Sequence, residues 1–225
     1  MAGPAVAVMA KAPEPGRAKT RLVPTLGEAG AALLARAFLI DSAALARRAA
    51  QSAGGEAFVV ATPDSACDDL AALTGLPALP QGGGDLGARI VTTFAALFAR
   101  GHAPVMLLGA DTPALPEAHI ARALALASAD PGSAVFGPSG DGGYWTVVLS
   151  APASVLFENI PWGSPTVLAD TTAAASRAGI PIALAPAWDD VDQVSDLASL
   201  LAQLEADPTA APATRAALAR LGLRR

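Results

Sequence analysis

The stretch "AVAVMAKAPEPGRAKTRL" (residues 5–22) decides the reading of this chain. Its first six residues are unbroken apolar residues, the length and character of a buried strand. The chain then cannot turn straight into helix, because Pro13, Pro15 and Gly16 interrupt it. Lys11, Arg17, Lys19 and Arg21 place four of the 15 Lys and Arg residues in this short loop. A stiff loop of cations and free backbone N–H groups at the end of a strand suits a phosphate-bearing ligand. The plain alternative is a solvated surface loop. The segment is no Walker A loop, since the Gly-x-x-x-x-Gly-Lys-Ser/Thr spacing is missing.

Working outward, further short apolar runs occupy 57–62, 104–111, 133–138, 144–150 and 180–186. Helical patterns fall between them at 28–52, 64–74, 86–100, 116–128 and 165–178, with two more near 193–206 and 211–222. Leu33, Leu34, Ala37 and Phe38 recur at three- and four-residue spacing. This alternation predicts an α/β chain: a three-layer α/β/α sandwich on a mixed, mainly parallel sheet. One domain over residues 1–225 is expected, long enough to bury roughly 70% of its unfolded surface.

Composition narrows the partners. Net charge is −5, with 52% hydrophobic and 16% charged residues. An acidic body argues against nucleic acid. Cys67 is the single cysteine, so no intrachain disulfide can form, and His102 and His119 are too few for a zinc site without carboxylates. The apolar run "AALLARAFLIDSAALARRAA" (31–50) is broken by Arg36, Asp41, Arg47 and Arg48, so no membrane span is expected. A cytoplasmic enzyme is the expectation.

Ligands of parallel α/β sheets bind beyond the carboxyl ends of the strands, and the unusual loops lie there. "MLLGADTPAL" sets Asp111 directly after an apolar run, as a metal ligand or as a turn aspartate before Pro113. "WDDVDQVSDL" holds Asp190 and Asp192, which project to one side if the segment is extended. Facing carboxylates call for a cation, and oxygen ligands suit Mg²⁺ or Mn²⁺; a helix start with Asp196 favouring the dipole is the alternative. "QGGGDLGAR" gives a formal Gly-x-Gly-x-x-Gly but does not follow the first strand. There Gly84 lets backbone approach a ligand, Asp85 caps a helix, and Leu86 and Arg89 follow. "GPSGDGGYW" is either a plain hairpin or a ligand loop, with Asp141, Gly142, Gly143 and Tyr144 as candidates. "IPWGSPT" adds an exposed Trp162 with Ser164 and Thr166 for a polar ring or a phosphate.

With these motifs in order, the chain resembles the bacterial glycosyltransferase-A-like proteins of the arsenosugar-biosynthesis type, in the nucleotide-diphospho-sugar transferase superfamily. "KAPEPGRAKTRL", "GGGDLGARI", "LLGADTPAL", "GPSGDGGYW", "IPWGSPTV" and "DDVDQVSDL" carry the likeness across most of residues 5–197. It is also similar to 2-phospho-lactate and phosphoenolpyruvate guanylyltransferases through "AKTRL" and the late "DVD". The resemblance implies a divalent ion on Asp111, Asp190 and Asp192. It implies a nucleotide-sugar or nucleoside triphosphate donor and a small-molecule acceptor. Lys11, Gly16, Arg17, Lys19, Arg21, Gly84, Asp85, Leu86 and Arg89 would then bind the nucleotide. Gly142, Gly143, Tyr144, Trp162, Ser164 and Thr166 would meet the acceptor. Lys19 and Arg21 would stabilise the leaving group beside Asp111, and Asp141 would be the base. Glycosyl transfer is the first expectation. Nucleotidyl transfer is the alternative, and a non-catalytic nucleotide-binding module the third.

Overall fold

Strand β1 (Ala5–Lys11) is dry on both faces over its first four residues: Val6 and Val8 are fully buried on one side, Ala5 and Ala7 on the other. The structure, a computed structural model, describes residues 2–223. Parallel strands β2 (Glu56–Thr62) and β4 (Val105–Gly109) flank β1. Adding β3 (Ala78–Pro80), β5 (Ala134–Pro138), β6 (Tyr144–Leu149) and β7 (Ile182–Leu184) gives the order β3-β2-β1-β4-β6-β5-β7. Only β6 runs antiparallel, against β4 and β5. The mixed, mainly parallel sheet is therefore as the alternation predicts.

Seven α-helices cover the sheet among the described residues. On one face α1 (Val23–Ser52), α2 (Cys67–Thr74) and α4 (Glu117–Ala129) bring Leu39, Leu70 and Ile120 onto Val6 and Val8. On the other, α3 (Leu86–Phe98) and α5 (Val167–Ala178) bring Ile90, Phe94 and Ala175 onto Ala5 and Ala7. The opening of α1 forms a third cluster with α6 (Asp196–Ala206) and α7 (Pro212–Arg220), centred on Phe38, Leu200 and Leu218. By length and composition α1 could cross a membrane, but 67% of its most apolar window is buried inside this fold.

Several boundaries differ from expectation for local reasons. Helix α1 begins at Val23 rather than 28, kinked at Gly27, whose φ of 69° breaks the helical run. β3 has only three residues, too few to show a pattern between Pro77 and Pro80. Residues 193–195 are not part of α6, because the preceding loop runs to Ser195. His102 is buried against the Gly3 carbonyl (3.0 Å), and His119 packs edge-on to Trp188.

The sheet reverses its direction of growth at β1: the chain goes to β2 on one side and returns to β4 on the other. The loops that leave β1 and β4 therefore open side by side, the place where open α/β sheets bind ligands. Helix α7 is docked from a distance. Its N-terminus has no cap of its own, and the buried Asp41 of α1 accepts the N–H groups of Ala213 (3.1 Å) and Thr214 (2.7 Å). Asp41→Ala leaves those donors without partners and is expected to cost about 2 kcal/mol, read as a lower urea midpoint. Asp41→Asn, which keeps one acceptor, should lose less.

Candidate functional site

The β1 loop folds back so that one cation, Lys19, enters the molecule. Its backbone is left-handed (φ 47°), and its side chain is only 4% exposed. Lys19 Nζ donates to the Val191 carbonyl at 2.6 Å and lies 2.9 Å from Asp111 Oδ2 and 3.4 Å from Asp192 Oδ1. Arg21 Nη1 holds the other Asp192 oxygen at 2.6 Å. The Val191 N–H donates to the Asp111 carbonyl (2.9 Å), so the β4 loop and the late acidic loop are joined by main chain as well. Asp196 accepts the N–H groups of Asp192 (2.9 Å) and Gln193 (2.7 Å) and fixes that loop. Burial alone would raise the Asp196 pKa, but these hydrogen bonds, the Ser195 hydroxyl and Lys19 hold it below the usual range.

The β5–β6 hairpin closes the arrangement. The Gly140 N–H donates to Asp189 Oδ1 (2.7 Å), so the hairpin tip is tied to the acidic loop. Asp141 Oδ1 accepts both the Ser139 hydroxyl (2.5 Å) and the Gly143 N–H (2.9 Å). Asp190 is half-buried, and its carboxyl is pushed up to about 6. Burial is the main cause, countered by Lys19 and reinforced by Asp111, Asp141 and Asp192. The four carboxylates therefore share one electrostatic environment.

These loops surround a cleft of about 430 Å³. Of the residues singled out in the sequence, Lys11, Leu86, Asp111, Asp141, Gly143, Tyr144, Trp162, Ser164 and Asp190 line it. Asp141 and Asp190 also border a second, smaller hollow shared with Arg21 and Asp192.

Other expectations need correction. Lys19 is engaged with carboxylates inside the protein, so it is not an open phosphate contact. Arg17 is solvent-exposed and paired with its neighbour Glu14 at 2.9 Å. Gly16 faces Glu28, since a Cβ there would lie 3.1 Å from that carboxylate. Asp85 caps α3, as its motif predicts, by accepting the Ala88 N–H (2.9 Å), and Arg89 turns back to the Gly84 carbonyl (3.1 Å), so neither lines the cleft. Gly142, with φ 88°, packs on the Pro165 carbonyl, where any Cβ would collide. The Thr166 hydroxyl bonds Ser164 (2.9 Å), and Trp162 is half-buried rather than exposed.

Gln81, Thr62, Thr112, Ile90 and Val167 also line the cleft and were not singled out in the sequence. Gln81 is buried at the end of β3 and donates to the carbonyls of Ala10 (3.3 Å) and Val60 (2.9 Å). Recognising β3 as a strand would have flagged it.

Among the described residues, no three His, Cys, Asp or Glu side chains form a ready ligand set for a metal ion. The Lys19 ammonium stands between Asp111 and Asp192, where the motifs place an ion. Asp111 and Asp190 do fit a hard cation. Both carry oxygen donors into the cleft, and Asp190 is destabilised as an anion by burial and by like charge. The Thr112 hydroxyl beside them is buried without a partner.

Residues 45–164 match the bacterial family DUF2064, described as an uncharacterized protein conserved in bacteria, and the chain belongs to that family. No protein of curated function matches the sequence. Among solved structures, the fold is similar to a Desulfovibrio desulfuricans G20 protein provisionally named a nucleotide-diphospho-sugar transferase. That likeness has a TM-score of 0.85 and 27% identity, over 98% of this chain and 97% of that one. CMP:2-keto-3-deoxy-manno-octonic acid synthetase, solved with CTP, matches at TM-score 0.59 and 11% identity, over 92% of this chain and 100% of the other. Rv0371c of Mycobacterium tuberculosis H37Rv, solved with manganese, matches at 0.51 and 18%, over 89% and 98%. The fold is that of the nucleotide-diphospho-sugar transferases.

Because Lys19 is sealed between acids, Lys19→Met should leave two carboxylates facing each other. A loss of about 2 kcal/mol in unfolding free energy is expected, below the cost of breaking a fully buried pair because both acids keep some water. Urea unfolding measures it, and Arg17→Ala, which removes an exposed local pair, should stay within about 0.5 kcal/mol of the parent.

Proposed function

We propose that this chain is a divalent-metal-dependent transferase that uses a nucleotide-sugar donor and a small-molecule acceptor. The observation that carries the reading is the convergence of Asp111, Asp141 and Asp190 on one cleft at the switch point of the sheet. The motif resemblance to arsenosugar-type glycosyltransferases and the likeness to the Desulfovibrio protein support it. Asp111 and Asp190 would hold Mg²⁺ or Mn²⁺ together with donor phosphate oxygens, since such ions often need only one or two carboxylates beside a substrate phosphate. Bound there, the ion would neutralise charge on the leaving diphosphate.

The chain's own residues do the rest. Lys11 stands at the cleft as a cation for the donor phosphates. Asp141 is held by two hydrogen bonds to Oδ1, which leaves Oδ2 to accept a proton from an acceptor hydroxyl. As that proton moves to Asp141, the acceptor oxygen bonds to the anomeric carbon, the bond from that carbon to the phosphate oxygen breaks, and a nucleoside diphosphate departs.

Nucleotidyl transfer, as in the guanylyltransferases, is the second reading, and the CTP-bound synthetase of the same fold keeps it in view. It expels pyrophosphate and needs several open cations. Here Lys19, Arg21 and Arg17 are each engaged by an aspartate or glutamate, which favours glycosyl transfer.

Thermal shift with nucleotide-sugars and with nucleoside triphosphates, each with and without Mn²⁺, tests the reading. Nucleotide-sugars should stabilise the protein by about 2.7 kcal/mol at a hundredfold excess over Kd, and only with the ion. Ion-independent stabilisation would favour a non-catalytic binding module, and a preference for triphosphates would favour nucleotidyl transfer. Asp111→Asn and Asp190→Asn should each weaken ion-dependent binding at least about tenfold while unfolding stays cooperative; unchanged binding in both would refute the metal assignment.

A further inference from the structure

The cleft is charged at one end and apolar at the other. Leu86, Ile90, Tyr144, Val147, Trp162 and Val167 wall the end below β6 and α5. Leu86 is 44% exposed and forms its lip. The polar atoms of this wall are turned away or already engaged. Trp162 Nε1 and the Tyr144 hydroxyl are both buried, without partners. The first points at α3, where a Cβ on Gly87 would lie 3.0 Å from it, and the second lies beside Thr171 of α5. The two rings therefore show the cavity carbon, not donors. Thr146 donates its hydroxyl to the Leu107 carbonyl (2.7 Å), and Ser164 is paired with Thr166 (2.9 Å).

No cation serves this end. Lys11 is the one Lys or Arg among the described residues lining the cleft, and it stands on β1. β4 lies between β1 and β6, which sets Lys11 two strand spacings, about 10 Å, from the β6 wall. The carboxylates Asp111, Asp141 and Asp190 line the same cleft. A phosphate driven into the apolar end would lose its water, find no counter-charge and face those acids. An uncharged ring or branched chain would instead exchange water for aromatic and aliphatic surface.

We propose that the acceptor enters this end by an uncharged aromatic or branched apolar body, with its nucleophilic group left beside Asp141, and that phosphorylated acceptors are rejected. Calling the ligand an acceptor rests on the transferase reading above; the chemistry of the pocket does not.

Calorimetric titration with p-cresol, phenyl phosphate and glucose 6-phosphate tests this on the full chain. p-Cresol should bind at least about tenfold more tightly than phenyl phosphate, which carries the same ring and a charge. Glucose 6-phosphate should not compete with it. Leu86→Asp, at an exposed position, should weaken p-cresol about tenfold or more with the thermal midpoint unchanged. p-Cresol should still bind when a nucleotide-sugar and Mn²⁺ are saturating. Equal or tighter binding of phenyl phosphate, indifference to Leu86→Asp, or exclusion of p-cresol by the nucleotide would each overturn the proposal; exclusion would mark the apolar end as the seat of the base. If p-cresol behaves as expected but no nucleotide stabilises the protein, the transferase reading falls and the apolar pocket stands.

Discussion

One ammonium group organises the site. Lys19 comes from the first loop of the chain, and its two carboxylate partners come from the end of β4 and from the stretch before α6. A non-glycine residue in the left-handed region costs roughly 1 kcal/mol, and a sealed amine costs more unless its protons are all directed. Here three oxygens answer them: one carbonyl and two carboxylates. The pair is sealed on the lysine side and open on the acid side, with Asp111 44% and Asp192 38% exposed. The carboxylates thus keep access to a ligand while their positions are fixed from beneath.

This pairing divides the acids by role. Asp192 faces two cations, Lys19 and Arg21, and is electrostatically satisfied. Asp190 and Asp141 have no such partner in the cleft, and the strain shows at Asp190, whose carboxyl is pushed up to about 6 by burial and by its acidic neighbours. Asp111, Asp141, Asp190 and Asp192 outnumber Lys19, Arg21 and the cleft-lining Lys11, so acidic charge is left in excess, an environment that favours a cation. The sequence motif treats Asp190 and Asp192 as equivalent ligands; their surroundings make them different.

Much of this was legible in the residues. The apolar run at β1, the aspartate closing β4 and the alternating acids before α6 pointed to the sheet edge where the cleft opens, because strand ends and carboxylates are local features. The partner of each charge was not legible. Lys11, Arg17, Lys19 and Arg21 read as one cradle, yet Arg17 closes on Glu14, Lys19 turns inward and Lys11 faces the cleft. That choice depends on backbone direction at Lys19 and on acids more than 90 residues away in sequence. Glycines posed the same difficulty. A glycine signals that something passes close, but not whether it is ligand or protein: Gly16 meets Glu28, Gly140 meets Asp189 and Gly142 meets Pro165. β3 was lost because three residues carry no period.

The β5–β6 hairpin binds the two halves of the cleft to each other. Here consecutive strands pair antiparallel, so a single turn returns the chain into the site instead of leaving through a helix. Asp141 sits at its tip, and Tyr144 and Val147 follow within the same strand as part of the apolar wall. A register shift between Gly137 and Pro138 adjusts how β6 enters, and a Cβ at Gly137 would collide with the Trp145 ring. The acid and the wall are therefore set by one backbone path, anchored to the acidic loop through Asp189. Movement of the tip would shift both together, which couples the position of the candidate base to the shape of the pocket that would present its substrate.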